Sequence, residues 1–227
     1  MNGRSAWLAG ATGLVGRALL GRLLADARYA RVDVFTRRLF PVAPEHAARL
    51  SVRKVDFAAL PADLADADDA YIALGTTIAV AGSEAAFRAV DFDAVLNVAK
   101  AARGAGATRL AVVSALGADS RSRIFYNRVK GDIETAVADL GFSVVVIARP
   151  SLLQGDRAAI GQAKRPGEVW ATRLLGPVSA IVPASFRPIA ADTVAAALVA
   201  QVISGEPGLH VLSSADMQRS SRLAAPR

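Results

Sequence analysis

Three residues of this chain have the types and the spacing for acid–base chemistry: Ser114, Tyr126 and Lys130. Tyr126 and Lys130 are i and i+4, so on a helix they share a face. A phenol ionises near pH 10 and is a poor proton carrier at neutral pH. A nearby ammonium favours the phenolate and lowers that value. With Lys130 beside it, Tyr126 can protonate a carbonyl oxygen as a hydride arrives, or deprotonate an alcohol in the reverse direction. The same lysine can donate to a nicotinamide ribose. Ser114 lies twelve residues before the tyrosine, at the end of the run Arg109 to Val113, and can hydrogen-bond the same substrate oxygen. A Tyr-x-x-x-Lys pair alone is weak, because tyrosine and lysine share many helix faces by chance. Its setting strengthens it: glycines upstream, a serine at a strand end before it and a further apolar strand after it.

Those glycines are the first element that must position the pair. Trp7-Leu8-Ala9-Gly10-Ala11-Thr12-Gly13-Leu14-Val15-Gly16 is a short apolar run ending in G-x-x-G-x-x-G, followed at once by a helix-favouring segment, Arg17 to Leu24. Glycines also mark ordinary turns, but strand, tight turn and helix in that order read as a dinucleotide site. The first glycine permits the turn, the second lets backbone approach a pyrophosphate, and the third lets helix pack on strand. The helix start then points free N–H groups at the phosphates. The candidate residues here are Gly10, Thr12, Gly13, Leu14, Val15 and Gly16.

Arg31 to Thr36 reads as a second strand. NAD-binding units carry an acid about 20 positions past the glycines, which holds the ribose 2′-OH. Counting on from Gly16 gives Thr36, then Arg37 and Arg38, with no acid. A guanidinium can grip a 2′-phosphate that a carboxylate would repel, so NADP(H) is expected over NAD(H); the plain alternative is two solvated arginines. Leu39 to Ala48, with Pro41 and Pro44, reads as a loop. Ser51 to Val55 is a third strand, ending at Asp56-Phe57. Asp56 either accepts from the adenine amino group or caps the next turn. Asp63 to Asp69 reads as a short acidic helix or turn. Ala70 to Leu74 is a fourth strand, and Gly75, Thr76 and Thr77 after it would line the ribose side of a cofactor or form a plain loop.

Ser83 to Ala102 carries Phe87, Val90, Val95 and Val98 at helical spacing, closed by Gly104 and Gly106. Arg109 to Val113 and Ser143 to Ala148 are the fifth and sixth strands. Ala191 to Ile203 reads as the last helix, capped by Asp192, and Leu209 to Leu212 as a final strand. Residues after Ala215 read as a disordered polar tail. Strands alternating with helices predict an α/β fold, a doubly wound parallel sheet flanked by helices, as a single domain over residues 1–227. Residues 151–188 are expected to form a small C-terminal lid, and their apolar stripe, Trp170, Leu174, Leu175 and Ile181, reads as a cover for the cofactor, a dimer face or, most simply, local core.

The 227 residues are 53% hydrophobic, enough for a sizeable core. With no cysteine and two distant histidines, His46 and His210, no metal site is expected. The net charge of +7 comes from scattered basic residues, so no nucleic-acid partner is expected. The first strand begins within a few residues, leaving no room for a signal peptide, and no apolar run reaches membrane-spanning length. A cytoplasmic protein is expected, with no membrane partner.

Taken together, the chain resembles an atypical short-chain dehydrogenase/reductase over nearly its whole length. Gly10-Ala-Thr-Gly13-Leu-Val-Gly16 is similar to the glycine pattern of the atypical and extended branches. Leu74-Gly75-Thr76-Thr77, Gly117-Ala118-Asp119, Tyr126-Asn-Arg-Val-Lys130-Gly131, Arg149-Pro150 and Arg165-Pro166-Gly167-Glu168 resemble the Tat-interactive-protein-like oxidoreductases, whose bacterial relatives are often called epimerase-like. The shared segment from Ser114 to Arg157 is more specific than any single motif. The resemblance implies a Rossmann fold, NADP(H), a Ser114-Tyr126-Lys130 site, and cofactor contacts at Gly10 to Gly16, Arg37, Arg38, Asp56, Phe57, Leu74 to Thr77, Arg149, Pro150, Ser151 and Leu152. The function expected is an NADP(H)-dependent oxidoreductase for a small carbonyl or alcohol, as a monomer or homodimer. One alternative is an NADP(H)-binding regulatory or interaction module with little catalysis. Another is a nucleoside-diphosphate-sugar epimerase or dehydratase, against which the short lid counts.

Overall fold

The computed structural model describes residues 3–154 and 186–223. The chain opens as β1 (Arg4–Ala9), α1 (Leu14–Ala25), β2 (Tyr29–Thr36), β3 (Leu50–Lys54) and β4 (Asp69–Ile72). Two short helices, α2 (Ile78–Ala81) and α3 (Glu84–Arg88), lead through a π-helical segment (Ala89–Ala94) into α4 (Val95–Gly104). β5 (Arg109–Val113), α5 (Phe125–Ala138) and β6 (Val144–Arg149) follow. β7 (Leu153–Gln154) pairs with β8 (Ile189–Ala190) in a small separate sheet. The described chain then runs through α6 (Ala191–Ser204), β9 (Gly208–Ser213) and α7 (Ser214–Leu223).

The main sheet has seven strands in the order β3-β2-β1-β4-β5-β6-β9, every pair parallel. The chain steps outward from β1 to β3 and then returns to β4 on the other side of β1. In open α/β sheets, ligands bind outside the carboxyl ends of the strands at such a reversal. Side chains alternate across the sheet. On one face Leu8, Val34 and Val146 pack with Leu19 and Leu23 of α1 and Val194 and Leu198 of α6. On the other, Trp7, Ile72, Val112 and Ile147 pack with Val98 of α4 and Ile133 of α5. This is the doubly wound α/β fold expected, with the second to sixth strands within a residue or two of their expected places, β1 beginning three residues before Trp7, and β9 around Leu209 to Leu212.

Several expectations are corrected. The single helix from Ser83 is broken into α3, the π-helical segment and α4, and Ser83 caps its start by accepting from the Ala86 N–H at 3.1 Å. The acidic stretch before β4 forms no helix, and Asp69 is a fully buried residue of β4. Asp192 is not the cap of α6: Ala190 holds that position, and Asp192, in the first turn, pairs with Arg22 of α1. The tail expected after Ala215 is helix α7 as far as Leu223, and residues 224–227 lie outside the described residues. Ser213 and Asp216 form a reciprocal capping pair, with the Ser213 N–H donating to Asp216 at 2.9 Å and the Asp216 N–H donating back to Ser213 Oγ at 3.2 Å. Met217 then docks, fully buried, on the α6 face of the core. Of the expected lid, residues 155–185 lie outside the described residues, with Trp170, Leu174, Leu175, Ile181 and the Arg165–Glu168 motif. No described helix is long and apolar enough to cross a membrane.

Candidate active site

The glycine turn forms where β1 meets α1. Gly10 has φ +94°, and a Cβ on it would lie 2.5 Å from the Ala73 carbonyl carbon. A Cβ on Gly16 would lie 1.9 Å from the Gly10 carbonyl oxygen. Any other residue at either place would push turn, helix and strand apart. Gly13 occupies the N-cap position of α1 without a side-chain hydrogen bond, and the first turn, which includes Leu14 and Val15, has no acid. The N–H groups of that turn therefore stay open to an anion. Thr12 is exposed beside them. Because Gly10 lies against Ala73, the turn abuts the segment after β4 that holds Leu74, Gly75, Thr76 and Thr77. This cradle fits a dinucleotide.

At the end of β2, Thr36 Oγ1 donates to the Arg38 carbonyl at 2.9 Å and accepts from the Arg38 N–H at 3.2 Å, which fixes the turn after the strand. Arg37 and Arg38 are exposed, and among the described residues neither pairs with a carboxylate. Asp56 is exposed and accepts from the Ala58 N–H at 2.9 Å, the turn-capping alternative of the two. Phe57 is buried, and its carbonyl accepts from Asn97 at 3.0 Å. Thr77 caps α2 by accepting from the Val80 N–H at 3.2 Å.

Tyr126 and Lys130 do share a face of α5, and the run from α3 into the π-helical segment packs against it. The Phe87 ring, fully buried, lies 5.3 Å from the Tyr126 ring, tilted by 35°. Asp91, 1% exposed, pairs with the Lys130 ammonium at 2.7 Å. Its second oxygen accepts from the Thr76 N–H at 2.8 Å, so the carboxylate joins the lysine to the loop after β4. A charge taken out of water is tolerated when it is paired in this way. Tyr126 is half-buried, and no hydrogen bond joins it to Ser114 or Lys130.

Ser114 is buried at the end of β5, but it is engaged elsewhere. Its hydroxyl donates to the Glu134 carboxylate, one turn beyond Lys130 on α5. Glu134 also accepts from Arg149 Nε at 3.1 Å and pairs with its terminal nitrogen. That carboxylate pushes the Arg149 pKa further up. A hydroxyl has one proton to donate, so in this structure the proton expected to serve a substrate oxygen goes to Glu134. Glu134 and Arg149 line an open cavity of about 450 Å³ with Asp119, Ser120 and Thr135, and neither Ser114, Tyr126 nor Lys130 lines it. Beyond Arg149, Pro150 is buried and its carbonyl accepts from the Leu116 N–H at 2.9 Å. Ser151 donates its hydroxyl to the Arg187 carbonyl and its N–H to Ser214, and the Leu152 carbonyl accepts from Ile189. The side chains of Arg149 and Ser151, expected at the cofactor, thus make bonds within the protein. Asp91 and Glu134 were not singled out from the sequence, and Phe87 was named there only for its helical spacing. The one signal for Asp91 is its place in the apolar stripe, four residues after Phe87 and four before Val95.

A family model described as NAD(P)H-binding matches residues 10–159, about two thirds of the chain. The chain belongs to the NAD(P)H-binding atypical short-chain dehydrogenase/reductases. Among its relatives is "Protein fmp52, mitochondrial" of Emericella nidulans, 37% identical over 176 residues, covering 74% of this chain and 73% of that protein. Another is "Protein HTATIP2" of Rattus norvegicus, 33% identical over 180 residues, covering 78% and 72%. The fold recurs in "MoeE5 in complex with UDP-glucose and NAD", with TM-score 0.68, 16% identity and coverage of 96% of this chain and 81% of that one. It recurs in the Helicobacter pylori ADP-L-glycero-D-manno-heptose-6-epimerase, with TM-score 0.67, 15% identity and coverage of 93% and 77%. As a member of this family the chain is a nicotinamide-dinucleotide-binding protein of the oxidoreductase type. One expectation is overturned: relatives from several fungi, 34–37% identical, are named mitochondrial, which points away from the cytoplasmic location read from the sequence.

Proposed function

We propose that this short-chain dehydrogenase/reductase is an NADP(H)-dependent oxidoreductase acting on a small carbonyl or alcohol, with Tyr126 as the acid or base. The observation that carries the reading is the placement of the Tyr126–Lys130 pair. The Lys130 ammonium lies beside Gly75, 3.9 Å from where a Cβ on that glycine would be, at the carboxyl edge of the sheet where the strand order reverses. Tyr126 is one turn before it on the same helix face.

Gly10 to Gly16 and the first turn of α1 would hold the pyrophosphate, and Arg37 and Arg38 the 2′-phosphate. Leu74 to Thr77 and Lys130 would hold the nicotinamide ribose. The bound cofactor supplies or accepts the hydride. Tyr126 gives its phenolic proton to the carbonyl oxygen in reduction and takes a proton from the alcohol in oxidation. Lys130 keeps a positive charge near the phenol. Ser114 can bond the substrate oxygen only by turning its hydroxyl away from Glu134. Support for NADP(H) over NAD(H) comes from the two exposed guanidinium groups at the end of β2 and the absence of an acid in that turn.

The test is a screen of small carbonyl compounds with NADPH as reductant, comparing wild type with Tyr126→Phe. Loss of a general acid costs about 10²–10⁴ in rate. The variant is expected to lose turnover on that scale while binding NADPH as wild type does. Unchanged turnover of a substrate found this way would contradict the role given to Tyr126.

A further inference from the structure

Two helical elements meet at the candidate site with matching spacing. Phe87 and Asp91 lie four residues apart, as do Tyr126 and Lys130, and they meet ring to ring and carboxylate to ammonium. Arg88 and Asp132 tie the same two elements together at 3.0 Å. The π-helical segment that carries Asp91 inserts an extra residue per turn, a feature frequent at functional sites. Oδ2 of this buried carboxylate accepts from the Thr76 N–H, while Oδ1, which has no hydrogen-bond donor among the described residues, is held by the charge of Lys130. An ammonium has three protons, and among the described residues Asp91 is the one partner of Lys130. Gly75 leaves the approach open, since a Cβ there would come within 3.3 Å of Asp91 Oδ1.

We propose that Asp91 is a positioning residue: it holds the Lys130 ammonium and the Gly75–Thr76 backbone in one arrangement that receives the nicotinamide half of the cofactor. The inference rests on the NADP(H) reading above. Asp91 touches neither substrate nor cofactor; it acts through Lys130 and Thr76. Its removal should therefore be felt by a ligand that has a nicotinamide ribose and not by one that lacks it.

The experiment is calorimetric titration of the full chain with NADPH and, separately, with adenosine 2′,5′-bisphosphate, which carries the 2′-phosphate but no nicotinamide. Wild type, Asp91→Asn, Lys130→Gln and the double variant are compared. Asp91→Asn keeps an acceptor for Thr76 but gives up the charge that holds Lys130. Its NADPH affinity is expected to fall at least about tenfold, the loss typical of a charge-assisted bond, with bisphosphate affinity within about twofold of wild type. The double variant is expected to bind NADPH no more weakly than Lys130→Gln alone, because the two act as one unit. Unchanged NADPH affinity in Asp91→Asn, equal weakening of both ligands, or additive losses in the double variant would overturn the proposal. If Asp91→Asn alone does not fold, the comparison of Lys130→Gln with the double variant, which buries no charge, decides the matter: equal NADPH affinity is expected, and a further loss overturns it. Wild type binding neither ligand would remove the NADP(H) reading, and this inference with it.

Discussion

A serine hydroxyl has one proton to give, and at Ser114 it goes to Glu134, whose carboxylate is also held by Arg149. The three residues join the end of β5 to α5 and β6 in a partly buried network, in which Ser114 and Glu134 are buried and Arg149 is half-buried, and such networks are costly to leave half-satisfied. Ser114→Ala removes a hydrogen bond to a charged group, worth about 1.5–3 kcal/mol. The expected outcome is a loss of stability of that order in urea unfolding, with less loss of turnover than in Tyr126→Phe. Unchanged stability together with abolished turnover would return Ser114 to the substrate oxygen. Tyr126 and Lys130 were legible in the sequence because i and i+4 share a helix face whatever the fold. Asp91 and Glu134 were not, since an acid within a helical stretch reads as solvated until a partner from another element is seen to meet it. Their partners lie 39 and 15 residues away, at Lys130 and Arg149.

Elements carry their own consequences. β2 and β4 bury two phenols, Tyr29 and Tyr71, on one face of the sheet, with rings 6.4 Å apart. Tyr29 donates to Asp69 at 2.7 Å, Asp69 pairs with Arg4, and the two hydroxyls bond each other at 2.7 Å. Burial first, then the Asp69 charge at Tyr29 and the Tyr29 phenol at Tyr71, hold both well above the ordinary phenol value. In the unfolded chain they release protons near pH 10. Above that pH the unfolded state binds fewer protons than the fold, so stability present below pH 10 is lost as pH rises. The slope is about 1.4 kcal/mol per pH unit for each phenol. The urea midpoint is therefore expected to fall steeply above pH 10, and less steeply in Tyr71→Phe. Equal slopes in the two proteins would contradict the role given to these phenols. Strands such as Arg109–Val113 were legible as runs of apolar and β-branched residues. The break in the helix after Ser83 was not, because the π-helical segment adds a residue to the turn without any residue type that marks it in the sequence. Helix α7 was read as a tail on its polar composition, although Ser213 and Asp216 already stood at capping distance in the sequence.

For the whole molecule, alternating strands and helices with a glycine turn at the first junction were enough to predict the doubly wound sheet, since parallel strands need crossovers and crossovers cover both faces. The strand order then places the glycine turn, the loop after β4 and the Tyr126–Lys130 helix at one edge. Cellular location was not legible, because overall charge and composition do not decide it. In the function proposed here, cofactor choice depends on how the phosphate cradle and the two arginines, contributed by β1–α1 and the turn after β2, act together. Their joint effect is read most directly by calorimetric titration with NADPH and NADH, on wild type and on Arg37→Ala/Arg38→Ala. Wild type is expected to bind NADPH at least about tenfold more tightly than NADH, as suits bidentate grip on a phosphate. The double variant is expected to lose that preference while binding NADH as before. Tighter binding of NADH by wild type, or binding of neither, would contradict the NADP(H)-dependent oxidoreductase proposed here.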